Sequence, residues 1–347
     1  MWSALMKLIS FAIPSYNSEN YLRHAVDTIL SGGEDVEIII VNDGSKDGTA
    51  AIADEYAAKY PTIVRAIHKE NGGHGSGVNC GLKNATGIYY KVVDSDDWVD
   101  ESALAKLIAT VKEHVAQGIE ADLYITNFIY DHVQDQTQCL RHWRKKFPIN
   151  TFSTWSEAKP FRYAQIMMMH ALMYKTEVLR ASGTVLPEHT FYVDNIFAYR
   201  PLPYTKKLYY LDVDLYHYFI GRDDQSVNIK NFRNRYDQQV LVQRLMTDAY
   251  TYDEICAQEK GLRKYMLHYY GAIMMNTELF CCVGGNEQER KDALKGLWDH
   301  VKQRDPKLYR YMRTRGLPAL CYWLPWRLRA VIMLAGYKLL CKTVKLG

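Results

Sequence analysis

The chain predicts an α/β protein built on a doubly wound, mostly parallel sheet with a helical extension behind it. Three observations carry this. Strand-like and helix-like patterns alternate between residues 7 and 93, the order that produces a parallel sheet with helices on its faces. Every polar cluster in that stretch follows an apolar run, at Pro14–Asn17, Asn42–Asp47, Asn71–Gly77 and Asp94–Asp97. All four therefore fall on the edge where open α/β sheets hold ligands. From about residue 230 the apolar spacing turns helical, and no proline interrupts it before Pro306.

Taken in order, Leu8–Ile13 is a short apolar run stopped by Pro14, and Asn17 or Ser18 stands where a cap would start a helix reaching Leu30. Val36–Val41 is a second run, closed by the turn residues Asn42-Asp43-Gly44-Ser45. Ile52, Ala53, Tyr56, Ala57 and Tyr60 have helical spacing, Thr62–Ile67 is a third strand, Val78, Gly81, Leu82 and Ala85 mark a helix, and Ile88–Val93 is the fourth strand. Asp100 caps a helix carrying Leu104, Leu107, Ile108 and Val111. Residues 121–130, Met167–Tyr174 and Tyr209–Ile220 read as further strands, Lys175–Ser182 as a short helix, and Asp194 opens another. Tyr236, Val240, Leu241 and Leu245 then share a helix face. The expected division is a ligand-binding and catalytic domain over 1–225, a helical extension over 226–315 and a basic tail over 316–347.

With 347 residues, 48% of them hydrophobic and 24% charged, the chain reads as globular and long enough for a sizeable core. Seven cysteines in no CxxC spacing imply reduced thiols in a cytoplasmic protein, neither a disulfide frame nor a zinc site. MWSALMKLIS has no basic region before its apolar residues, so it does not read as a secretory signal. The net charge of +4 is uneven: residues 305–347 hold nine Lys and Arg against the single acid Asp305. A mildly acidic body with a basic tail excludes general nucleic-acid binding and points to a local anionic surface. On a helix at ~100° per residue, Arg327, Lys338, Lys342 and Lys345 fall within an arc of ~60°. Trp323, Trp326 and Tyr337 accompany them, the composition of a helix lying in an anionic membrane surface. The longest charge-free stretch of the tail, Gly316–Trp326, is too short to span a bilayer. The alternative is a C-terminal helix docked on the protein with a solvated basic face. The expected location is cytoplasmic, peripheral on the inner face of the plasma membrane.

The chemistry centres on Val92–Asp100, VVDSDDWVD. Four carboxylates within seven positions repel one another, a cost that a bound cation removes. Oxygen ligands suit a hard divalent ion, Mn²⁺ or Mg²⁺, completed by phosphates and water. The plain alternative is an acidic strand-to-helix turn.

Four segments, AIPSYNSENYLRHAVDTIL, EIIIVNDGSKDGT, ENGGHGSGVNCGLKNATGIYYKVVDSDDW and FYVDNIF, resemble the family 2 glycosyltransferases of the GT-A fold, in the family's order across roughly residues 7–225. The resemblance implies an inverting, metal-dependent transfer of a sugar from a nucleotide-sugar donor, UDP-linked, to a hydroxyl of a glycan or lipid-linked acceptor of bacterial surface polysaccharide. It places Asp43 at the edge of the uracil, with Pro14 and Tyr16 beside the base; otherwise Asp43 forms an Asx turn. The loop NGGHGSG, with Gly73, offers backbone amides to an anion at a helix N-terminus, and His74 either touches the donor phosphate or sugar or makes a structural hydrogen bond. Asp94 and Asp96 are the implied metal ligands, Asp94 and Ser95 also touching the nucleotide, while Asp97 fixes the turn. Arg222, in the loop IGRDDQSVN, would clamp the diphosphate.

Attack by an acceptor hydroxyl needs a base on the face opposite the diphosphate. The family places an acidic pair before a helix, and the aligned residues here are Val193-Asp194. Asp194 is the candidate base, Glu188 the fallback, and Val193 departs from the pattern. Two other classes compete. A nucleotidyltransferase would carry a basic glycine-rich loop after the first strand, where this chain has IPSYN. A non-catalytic, membrane-docked sugar-nucleotide binder is favoured only by Val193.

Overall fold

A computed structural model of the chain describes residues 7–132, 135–162, 165–221, 232, 234–283 and 286–344, with side chains as far as residue 339. Two compact units divide it: Met1–Glu157 with Met167–Phe219, and Ala158–Ile166 with Ile220–Gly347.

In the first unit strands and helices alternate as β1 (Ile9–Ser15), α1 (Leu22–Leu30), β2 (Val36–Asp43), α2 (Thr49–Lys59), β3 (Val64–Lys69), α3 (His74–Asn84) and β4 (Tyr89–Val92). After β5 (Trp98–Val99) and α4 (Glu101–Ala116) come β6 (Leu123–His132), β7 (Thr137–Arg141), β8 (Phe152–Ser153), β9 (Leu172–Lys175), α5 (Thr176–Ala181), α6 (Asp194–Tyr199) and β10 (Leu208–Ile220). The strands form one sheet in the order β3-β2-β1-β4-β9-β6-β10-β5, with β7 beside β6 and β8 beside β10. β1 pairs in parallel with β2 and β4, and β2 with β3. Every residue of β1, β2 and β4 is buried, as a strand covered by helices on both faces must be. From β4 outward the pairs β4–β9, β9–β6, β6–β7, β10–β5 and β10–β8 are antiparallel. The parallel sheet read from residues 7–93 is thus the first half of a larger mixed one.

Local chemistry explains most boundaries. Leu22, Ala25, Val26 and Ile29 recur at helical spacing and are the buried face of α1. Asp100 caps α4 as expected, its Oδ1 accepting from the Ala103 amide at 2.7 Å. Asn17 and Ser18 do not cap α1, which starts four residues later with no side-chain cap. They join neighbouring loops instead: Asn17 Oδ1 accepts from the Lys46 amide at 2.9 Å, and the Ser18 amide donates to Thr49 Oγ1 at 2.7 Å. The apolar run Met167–Tyr174 splits into a 3-10 turn, Met169–Ala171, followed by β9. α3 lies close on β1 because Gly81 carries no Cβ; one there would come within 2.5 Å of Ala12 Cβ.

The second unit is helical: α7 (Tyr236–Ala249), α8 (Tyr252–Cys256), α9 (Lys260–Cys282), α10 (Glu287–Arg304), α11 (Pro306–Thr314) and α12 (Trp326–Val344). α9 is its core, with Tyr265, Met266, Leu267, Met274, Met275 and Leu279 buried around its whole circumference. Among the described residues no helix is long and apolar enough to cross a membrane, and Cys80, Cys139, Cys256, Cys281, Cys282 and Cys321 are free thiols.

Candidate active site

The carboxyl ends of β1, β2 and β4 lead into three loops that meet. Asp43, the last residue of β2, is 3% exposed. Its Oδ1 accepts from Lys69 Nζ at 2.6 Å and the Gly72 amide at 3.0 Å, and its Oδ2 from the Gly73 amide at 2.7 Å. Three of about four acceptor positions are thereby filled. Asp43 builds the glycine-rich loop, and the side chain that braces the following turn is that of Asn42, whose Oδ1 accepts from the Ser45 amide. Gly73 sits at φ +81, a left-handed conformation that favours glycine, and a Cβ there would press within 3.1 Å of the His189 amide nitrogen. That amide donates to Gly72 O at 2.7 Å, joining the glycine loop to residues 186–193. Pro14, one residue before the end of β1, lies against Gly77, and Tyr16 just beyond the strand is half exposed, open to stack on a planar ligand.

His74, the first residue of α3, places Nε2 2.7 Å from Asp94 Oδ1. Burial opposes charge on both groups, but each favours the other's ionised form. The imidazole holds the Asp94 carboxyl below its usual range, and Asp94, with Asp194 and Asp96 beyond it, raises His74. Asp97 behaves oppositely. It is 2% exposed, accepts from Tyr216 Oη at 2.5 Å and from the Phe219 amide at 2.8 Å, and ties the acidic turn to β10. Burial, then the charges of Asp96 and Asp94, push its carboxyl well above the ordinary range. Ser95 is buried too, its Oγ 2.6 Å from Ser18 Oγ, so its hydroxyl is spent within the protein.

His170 was not singled out from the sequence. Its 3-10 turn, Met169–Ala171, is held by the fully buried Lys91 on β4, whose Nζ donates to His170 O at 2.6 Å. The ring is 3% exposed, and Nδ1 has no hydrogen-bond partner among the described residues. Burial brings its pKa down to about 4, leaving a neutral imidazole at neutral pH. Donor atoms of Asp94, Asp97 and His170 lie within 4.8 Å of one another. This oxygen-and-imidazole set fits a divalent metal, and the unpartnered nitrogen is the kind of group a metal satisfies. Asp96, an expected ligand, stands outside that trio, half-buried. Within the trio, Asp97 already accepts two hydrogen bonds.

Asp194 opens α6, and the cap position belongs to Val193, which makes no side-chain cap bond. Burial raises the Asp194 carboxyl to about 6, with His74 opposing the shift and Asp94 adding to it. Val193, in place of the first acid, is 2% exposed and packs on α3, where a Cβ at Gly75 would lie 3.5 Å from its Cγ2. An apolar side chain suits that contact; a charge there would be buried. Glu188 is exposed and accepts from Ser76 Oγ at 2.7 Å. The site therefore joins Asp94, His74 and Asp194 electrostatically, with Asp96 in the same field. Arg222 lies outside the described residues.

Residues 10–176 match the family described as Glycosyl transferase family 2. The chain carries a family 2 glycosyltransferase domain. The putative glycosyltransferase EpsH of Bacillus subtilis is 30% identical over 227 residues, covering 61% of this chain and 60% of EpsH. The chain thus spans less than two thirds of that relative's length. TarS of S. aureus, solved with UDP-GlcNAc, superposes on this chain with TM-score 0.64 at 20% identity, covering 90% of this chain and 88% of TarS. The mannosyltransferase PcManGT of Pyrobaculum calidifontis, solved with GDP-Man and Mn²⁺, gives TM-score 0.52 at 14% identity over 95% and 84% of the two chains. At these identities the likeness speaks for the fold, and the glycosyltransferase domain has the GT-A fold.

Proposed function

We propose that the chain catalyses inverting transfer of a sugar from a UDP-linked donor to a hydroxyl of a glycan or lipid-linked acceptor, in the synthesis of a bacterial surface polysaccharide at the inner face of the plasma membrane. One observation carries the reading: a desolvated carboxyl, Asp194, raised to about 6, stands in the field of the His74–Asp94 pair at the ligand edge of the sheet. A base with that pKa is ionised at neutral pH yet basic enough to accept a hydroxyl proton as the nucleophile attacks.

Tyr16 stacks on the base, and Asp43, which takes up the Gly72 and Gly73 amides, holds the glycine loop in a shape that leaves the N-terminus of α3 for the diphosphate. His74 orients Asp94 and donates to a phosphate oxygen. Asp94 and Asp96, joined by the neutral imidazole of His170, would hold a divalent metal, Mn²⁺ or Mg²⁺. When bound it supplies the positive charge that makes a nucleoside diphosphate a good leaving group. Asp194 takes the acceptor proton on the opposite face. The structures of TarS with UDP-GlcNAc and of PcManGT with GDP-Man and Mn²⁺ support this class of donor and metal. The snug packing of Val193 supports a working site despite the departure from the family's acidic pair.

Calorimetric titration with UDP, with Mn²⁺ and again with EDTA, tests the donor site. Micromolar binding that needs the metal and disappears in Asp96→Ala is the expected result. No binding under either condition overturns the reading.

A further inference from the structure

We propose that α12 binds an anionic lipid surface while staying docked on its own helical unit, through an apolar stripe that the fold leaves facing outward. The inference rests on the membrane partner proposed above but not on the transfer chemistry. On a helix of ~100° per residue, Met333, Arg329 and Tyr337 share one side. That side faces the unit: Met333 is 7% exposed, Arg329 Nη1 lies 4.0 Å from the buried Glu278 of α9, and the Tyr337 ring is 5.5 Å from Phe232. The opposite side carries Leu328, Val331, Ile332 and Ala335. Leu328 is 47%, Val331 63% and Ile332 45% exposed. Leu320 at 72% and Trp323 at 64% are exposed in the segment just ahead of the helix. Trp323 is held rigidly, its Nε1 donating to Arg313 O at 3.0 Å and its ring under the Arg313 guanidinium at 4.2 Å. A helix merely docked on the protein would turn its apolar side inward and leave only charge outside. This one turns Met333, Arg329 and Tyr337 inward and exposes an apolar side.

Charge selects the occupant. Arg327 and Lys338 are exposed along one edge of the stripe, and no acidic residue occurs from Pro306 to Gly347. A second copy meeting this face across a two-fold axis would bring two basic edges together with no acid in the segment to answer them. Anionic headgroups complement the edge, and the acyl boundary receives the stripe, as for a helix lying in the interface.

The test is co-sedimentation of the full chain with vesicles of phosphatidylcholine containing 30% phosphatidylglycerol, and with phosphatidylcholine alone. Wild type should pellet with the anionic vesicles and stay in the supernatant with the neutral ones. Arg327→Gln/Lys338→Gln should partition about 25-fold more weakly, at roughly fivefold per charge. Leu328→Glu/Val331→Glu, both at exposed positions, should keep the wild-type melting temperature and lose vesicle binding. Failure of wild type to pellet, or undiminished pelleting of the Glu variant, overturns the proposal. So does a wild-type dimer in light scattering that the Glu variant splits, since a second copy then covers the face. UDP titration of the same samples separates the two readings: vesicle binding lost with UDP binding intact refutes only the lipid surface.

Discussion

Replacing Asp194 by Asn should make the protein more stable and nearly inactive, and the two effects have one cause. Burial raises the carboxyl from 3.8 to about 6, so the folded state resists the charge that the unfolded chain accepts freely. The sign follows: stability is undiminished below the unfolded value near 3.8, falls as pH rises through about 6, and carries the full penalty at neutral pH. Two pKa units correspond to about 3 kcal/mol. Partial exposure of the side chain and the loss of its bond from Asn195 reduce the recoverable part to about 1–2 kcal/mol. For a cooperative unit of this size that is a rise in Tm of roughly 2–8 °C at pH 7.5, shrinking toward zero near pH 4. Turnover should fall by roughly 10²–10⁴ with UDP affinity nearly unchanged, and wild-type turnover should drop as pH falls through about 6. Thermal melts at the two pH values, with single-turnover kinetics, read all of this. A variant of near-normal rate refutes the base assignment. A variant that melts lower at pH 7.5 refutes the desolvation argument.

His170→Phe keeps the ring's volume and removes its nitrogens. Mn²⁺ affinity in the presence of UDP should fall at least about tenfold with Tm little changed, and an unaltered metal titration would remove His170 from the ligand set. Asp43→Ala leaves Lys69 and the Gly72 and Gly73 amides unanswered. It should cost about 2–4 kcal/mol in denaturant unfolding and abolish UDP binding; wild-type stability would mean that the glycine loop holds its shape without the carboxylate.

Much of this protein was legible in the order of its residues, because the rules involved are local. Apolar runs ended by polar turns set β1 to β4, and with them the edge that holds Asp43, Asp94 and Asp96, whereas Asp194 was marked only by the resemblance of FYVDNIF to the family's acidic pair. The cap at Asp100 and the buried face of α4 needed only spacing; of the basic arc of the tail, Arg327 and Lys338 are exposed, while the side chains of Lys342 and Lys345 lie outside the described residues. Other features required distant parts of the chain to meet. The antiparallel half of the sheet depends on partners far apart in sequence, which strand propensity does not encode. His170 sits in MMMHALMY, a lone histidine in an apolar run, and only the buried amine of Lys91 and the closeness of Asp94 make it a candidate ligand. Asp96 and Asp97 are neighbours of identical chemistry, and it is the tertiary position of Tyr216 that ties Asp97 to β10. The same holds for the tail, where helical periodicity fixes which residues share a side but not which side is covered. That choice was made by Glu278 and Phe232, which take Arg329 and Tyr337 inward and leave Leu328 and Val331 outside.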